Sequence, residues 1–194
     1  MYSASIQYSV TLLSIHMITC TSLGGSAIKC VFDKKTIAVF PGKGDAEADL
    51  KLLGSPDEEP KKGEISWPGE YDIDGIAIRG IGHDEGGRVS FAIEAEGRRF
   101  AFLNSPLHEW SDKELQLLGD IDVLFLPADD ATIAQKIIDQ VDPRVLIPLP
   151  TKDESVFSEL LKATGAQDKE ISDEYKVKSL PQEGREVVIL KPTK

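Results

Sequence analysis

Hydrophobic and polar residues alternate from the start of the chain. Ile6, Tyr8, Val10 and Leu12 interleave with polar neighbours, so residues 1–16 are expected to be an extra edge strand or an extension ahead of the core. Segments 17–22, 26–32 (AIKCVFD) and 35–40 (KTIAVF) are short and rich in Ile, Val and Phe. Gly24-Gly25 and Asp33-Lys34 separate them as turn signals, which predicts a β-meander. Residues 41–63 mix Pro41, Gly42, Gly44, Pro56 and Pro60 with dense charge. They read as an exposed connection with at most one helical turn near Ala46–Leu53.

From Ile65 the strand pattern returns as YDIDGIAIRGI, RVSFAIEAEG and RRFAFLN. The last two are joined at Glu96-Gly97, and three antiparallel strands are expected. Ser111, with Glu114 three residues on, reads as a capping-box helix start, and Gly119 as its stop. DVLFLP and RVLIPLP are continuous apolar runs suited to strands buried on both faces. Each precedes a helical pattern, at about Ala131–Val141 and Glu154–Thr164. Strand–helix–strand–helix order calls for parallel pairing through right-handed crossovers. Residues 175–179 and 186–191 add late strands.

Composition narrows the classes of partner. A formal charge of −11 disfavours nucleic acid and anionic membrane surfaces, which are gripped by clustered Lys and Arg. No apolar run reaches the length of a membrane span, and the first residues lack the basic start and cleavage site of a secretory leader, so a cytoplasmic location is expected. Cys20 and Cys30 are too few for a disulfide framework and are expected as small buried residues on neighbouring strands.

The phrases TSLGGSAIKC with KTIAVFPG, PGEYDIDGIAIRGIGHD, RRFAFLNSPLHEWSDKELQLLGDIDVLFLPADD and RVLIPLP, in that order, resemble the metallo-β-lactamase superfamily, in its ascorbate-6-phosphate-lactonase-like branch of metal-dependent hydrolases. The resemblance implies an α/β protein, a four-layer αββα sandwich of two mixed β-sheets, formed by one domain over residues 17–194. It also implies a two-metal site at one edge of the sheets, where bound zinc makes water a nucleophile. The family's HxHxDH loop would fall within 41–63, which contains no histidine. Gly25 stands where a strand turn often ends in Gly-His, Asn104-Ser105 where Gly-Asp supplies a bridging carboxylate, and Pro150 where a late histidine belongs. Loss of the metal ligands is expected, with no metal or other cofactor.

Counting agrees with this. The chain has three histidines, His16, His83 and His108, none paired as HxH or HxxxH, which is too few for a histidine-rich dinuclear site. His83-Asp84, in GIGHDEGG, is a candidate residual ligand or general base, and otherwise a solvated loop pair. Ser105 and His108 are a candidate nucleophile and base, although no GxSxG elbow accompanies them; capping and packing beside Trp110 is the plainer reading. Asp129 and Asp130 end a buried strand and could bind a cation with Asp84 or Glu85, or cap the next helix. With Gly25, Asn104 and Pro150 they are the candidate pocket residues. Trp67 and Tyr71 are expected to pack under the PGEY turn.

Three readings result. The first is a non-catalytic binding or assembly module on a hydrolase fold, with an unspecified small-molecule ligand. The second is an ester, lactone or phosphodiester hydrolase with an altered mononuclear metal site around His83 and His108. The third is a homo-oligomer formed through the N-terminal strand.

Overall fold

Alternation along the first strands is what separates the two faces of the first sheet. In the computed structural model, which describes residues 17–32, 35–42, 47–177 and 179–193, β1 (Ile18–Gly24), β2 (Ala27–Phe32) and β3 (Lys35–Val39) form the predicted meander. The expected strand within residues 1–16 lies outside the described residues. The 41–63 connection is more ordered than predicted. Leu50 and Leu52 are buried on either side of Lys51, making β4 (Leu50–Leu52) a strand parallel to β3 where a helical turn was expected. β5 (Glu64–Ile65) follows in parallel.

The second sheet begins with a correction. YDIDGIAIRGI is two strands, β6 (Gly69–Ile73) and β7 (Ile76–His83), because Asp74 and Gly75 turn with φ of 53° and 83°. This is an Asp-Gly hairpin signal sitting inside what read as one strand. β8 (Arg88–Ala95) and β9 (Arg98–Phe102) meet at the predicted Glu96-Gly97 turn. A helix α1 (Asp112–Leu118) leads to β10 (Val123–Pro127), α2 (Ala131–Val141), β11 (Val145–Leu149) and α3 (Glu154–Ala163). β10 and β11 are buried at every position and pair in parallel with each other, as their apolar runs predict. The chain closes with β12 (Ile171–Ser172), β13 (Tyr175–Val177), β14 (Glu186–Val187) and β15 (Ile189–Leu190). The sheet orders are β13-β1-β2-β3-β4-β5 and β14-β11-β10-β9-β8-β7-β6, with β12 and β15 as a separate pair.

Two apolar layers hold these elements. Between the sheets, Phe32 meets Phe100 edge-on at 5.4 Å and Phe102 stacks on Phe125 at 4.5 Å, each buried ring stabilising by roughly 1.5–3 kcal/mol. Behind the second sheet, Ile81, Leu103, Leu124 and Leu146 pack against Leu118 of α1, Ile137 and Ile138 of α2 and Leu160 of α3. The result is the expected α/β sandwich of two mixed sheets; of the two helical layers in the expected αββα order the described residues form one, with α1, α2 and α3 on the second sheet's outer side. No helix among these residues is long and apolar enough to cross a membrane.

Strand register fixes where a site can form. β3 and β4 run in parallel, so their C-terminal ends lie beside the Gly24-Gly25 turn that joins β1 to β2. The Val89 amide donates to the Gly54 carbonyl at 3.0 Å, bringing that end of the first sheet to the end of the second where β7, β9, β10 and β11 finish.

Candidate functional site

His83 is the last residue of β7, and alternation places it with Ile81 on the helix side of the second sheet. Ser90 on β8 shares that side. Residues 104–111 cross over them and end at Ser111, the N-cap of α1. The predicted capping box is complete: the Glu114 amide donates to Ser111 Oγ, and Glu114 Oε2 accepts from the Ser111 amide at 2.7 Å. This local device aims the other carboxylate oxygen, Oε1, at both histidines.

His83 Nδ1 lies 2.5 Å from Glu114 Oε1, and His108 Nε2 lies 3.0 Å from the same atom. On the other side of the His83 ring, Nε2 is 2.9 Å from Ser90 Oγ, which accepts the Asn104 amide at 3.0 Å. The hydroxyl proton of Ser90 is thus directed to His83 Nε2, and Nδ1–H donates to Glu114. Trp110 packs on His83 with ring centroids 4.9 Å apart, and His108 meets His83 at 4.5 Å.

Burial and neighbours tune the charges. Burial lowers the His83 pKa below its usual 6.5, outweighing the carboxylate's pull, with His108 and Arg88 adding to the depression. Burial alone would raise Glu114, but hydrogen bonds from Ser111, His108 and His83 outweigh it and hold the carboxyl at about 2. At neutral pH the centre is a carboxylate facing a neutral His83.

Ser90, His83 and Glu114 are linked in the order of nucleophile, base and orienter. The serine is 1% exposed and the histidine 4%, so no substrate atom reaches the hydroxyl in this arrangement. Chemically the group is a closed relay of hydrogen bonds tying β7, β8, the 104–111 crossing and α1 together.

The remaining sequence candidates take separate local partners. Ser105 donates to Asp129 Oδ1 at 3.1 Å, and the Leu107 amide donates to Asp129 Oδ2 at 3.0 Å. Ser105 and His108 therefore do not pair: Asp129 takes the hydroxyl and Glu114 takes the imidazole. Asp130 caps α2 through the Ile133 amide at 2.9 Å, which leaves the two aspartates in separate structural roles. Asp84 is bound by Arg88 at 2.5 Å, and that guanidinium lowers its pKa. Arg88 also donates to the Pro106 carbonyl, so Asp84 is paired with a guanidinium while Asp129 is taken by Ser105 and the Leu107 amide. His83 is buried, which corrects its reading as a solvated loop residue. Gly25 sits in the β1–β2 turn, and Pro150 follows β11. Trp67, expected in the core, is 47% exposed with its Nε1 donating to the Asp57 carbonyl at 2.8 Å.

Asn104 faces the other sheet. Its Nδ2 donates to the Gly54 carbonyl at 2.5 Å and the Val89 carbonyl at 3.2 Å. A Cβ on Gly54 would come within 2.7 Å of that nitrogen, so the amide fills the gap between the sheets. Sequence spacing alone does not bring Glu114 or Ser90 into this centre. For Glu114 the signal was present, a capping glutamate six residues after a histidine; Ser90 gave none.

Residues 37–150, more than half of the chain, match the family model described as the beta-lactamase superfamily domain. Comparison with curated protein sequences gives no match. Among solved structures, a proposed Zn-dependent hydrolase of the metallo-β-lactamase superfamily from Thermotoga maritima is 21% identical, with a TM-score of 0.75 over 89% of this chain and 98% of that one. A proposed metal-dependent hydrolase from Parabacteroides distasonis is 18% identical, with a TM-score of 0.63 over 89% and 92%. A metallo hydrolase from the archaeon Ignicoccus hospitalis is 15% identical, with a TM-score of 0.63 over 92% and 97%. At these identities the likeness is one of fold.

Proposed function

We propose that this chain, which belongs to the metallo-β-lactamase superfamily, keeps the hydrolase scaffold as a non-catalytic binding or assembly module in which hydrogen bonds replace the family's two-metal centre. The observation that carries this reading is Asn104. Its amide occupies the gap between the sheets and spends both N–H groups on the Gly54 and Val89 carbonyls. The residues present do not fit a dinuclear centre. The 41–63 segment has no imidazole, and two of its carboxylates are engaged locally, Asp49 with the Thr36 amide and Asp57 with the Glu59 amide. A net charge of −11 favours a partner other than nucleic acid.

Metal analysis of the full chain, purified without chelator, tests the proposal. Zinc, iron and manganese are each expected well below one equivalent per chain, and a stoichiometric, tightly held metal overturns it.

One observation favours a second reading, a single metal held by His83, His108 and Glu114, whose donor atoms all lie within 4.8 Å of one another. Tetrahedral zinc keeps neighbouring donors about 3.3 Å apart, whereas His83 and Glu114 stand at 2.5 Å, the spacing of a short hydrogen bond. For zinc to bind, this bond must open. Titration with zinc against a chromophoric chelator separates the two readings: tight binding by the wild type that is lost in Glu114→Gln supports the metal.

A further inference from the structure

Cys20 on β1 and Cys30 on β2 are directly opposed in the antiparallel register. They form the middle of a row across four strands, from Tyr175 through Cys20 and Cys30 to Ile37. Both side chains point between the sheets and are fully buried, and their sulfurs stand 2.6 Å apart. Directly opposed residues in such a ladder have Cα atoms about 4.5–5.5 Å apart, inside the range a disulfide spans. The backbone therefore needs no rearrangement to join them. We infer that Cys20 and Cys30 are a cross-strand dithiol that a small-molecule disulfide oxidises to a bond stapling β1 to β2.

The chemistry is two successive exchanges. One cysteine thiolate attacks oxidised glutathione, forming a mixed disulfide and releasing one glutathione thiolate. The second cysteine thiolate then attacks the protein sulfur of the mixed disulfide and expels the other glutathione. Two protein thiols are oxidised and one oxidised glutathione is reduced to two glutathiones, whose thiolates take up the two protons that the cysteines release. Burial raises the pKa of Cys30 well above its usual value, and its contact with Cys20 adds to this. In the closed sheet the thiol is a poor nucleophile, so exchange proceeds as the hairpin forms or opens. The bond would lie in the first sheet, away from the His83–Glu114 centre, and does not depend on whether that centre binds metal.

The test uses the full chain equilibrated across a series of reduced and oxidised glutathione, in buffer and in urea. The buffer samples are prepared by refolding so that burial does not block exchange. Samples are quenched with a maleimide and digested for mass spectrometry. The expected result is a peptide linked through Cys20 and Cys30, lighter by two hydrogens than the reduced pair. It should form in buffer at a glutathione ratio about tenfold or more less oxidising than in urea, since a bond compatible with the fold favours the folded state. The oxidised protein should melt at a higher temperature and revert on reduction, while Cys30→Ala shows no such shift. Recovery of both cysteines as maleimide or glutathione adducts after refolding at every ratio overturns the inference, as does equal cross-linking in buffer and urea.

Discussion

The side-chain amide of Asn104 reaches from the end of β9 to the carbonyl of Gly54 beyond β4, a contact of 2.5 Å that joins the two sheets. Both acceptors of this amide are carbonyl oxygens, so the position demands donors. Asn104→Ala should cost about 1–3 kcal/mol by leaving those carbonyls unpaired. Asn104→Asp should cost more at pH 7, because a carboxylate would face two oxygen acceptors, and the difference should shrink as the pH falls and the acid is protonated. Urea unfolding of both variants at pH 7 and 5 checks this; an Asp variant as stable as wild type would contradict the geometry and favour a bound cation.

The acid side of the stability profile follows from Glu114 and His83. Glu114 is held at about 2 against an ordinary 4.5, so the unfolded chain binds its proton more readily. The stability it contributes is complete above about pH 4.5 and is lost as the pH falls toward 2. His83 is also lowered, from 6.5, so stability falls below that pH as the unfolded state takes up protons that the fold resists. Both effects have one sign: acidification destabilises, beginning near pH 6.5. Melting temperature against pH should show this, and Glu114→Gln should flatten the part below pH 4.5. An unchanged profile in that variant would show that the carboxylate is not coupled to folding.

Asp129 anchors the crossing segment through Ser105 and the Leu107 amide. In Asp129→Ala, hydrogen exchange at Leu107 should accelerate by about tenfold or more, since a lost anchor of about 1.4 kcal/mol opens the segment locally. The β10 amides should be unaffected. Uniform acceleration across both would mean that Asp129 supports the whole fold.

Gly80 lies under the turn before β6, where a Cβ would come within 2.7 Å of the Trp67 carbonyl. Because the obstacle is backbone, Gly80→Ala should destabilise by about 1–3 kcal/mol. Gly75, whose surroundings are open but whose φ is +83°, should lose about 1 kcal/mol on the same change, through backbone strain alone. Chemical denaturation ranks the two; a larger loss at Gly75 would show that Pro68 and Trp67 yield easily.

What was legible from sequence was local. The Ser111–Glu114 box and the Glu96-Gly97 turn are settled within a few residues, and β10 and β11 announce themselves as unbroken apolar runs. β4 and β5 are not legible in the sequence because strands this short exist only by pairing with a distant neighbour. The same divide runs through one side chain. Glu114 Oε2 serves its own helix cap, three residues away, and is legible in the Ser111–Glu114 spacing. Oε1 meets His83, thirty-one residues earlier, and no spacing rule connects them. Asn104 was legible as a departure from the family pattern, but the carbonyls it satisfies come from other strands.

Pairing in the first sheet sets a timetable for biosynthesis. β1 sits between β2 and β13, with Ile18 opposite Val177. When a ribosome has delivered the β1–β3 meander, one flank of β1 still has its hydrogen-bonding groups unmet, and they stay so until Tyr175–Val177 emerges. A nascent chain of this protein therefore carries an open strand flank while residues 25–174 are made, a template for wrong partners during that interval. The first strand among the described residues is among the last of them to be closed, so exposure to chaperones and to neighbouring nascent chains is governed by the arrival of β13.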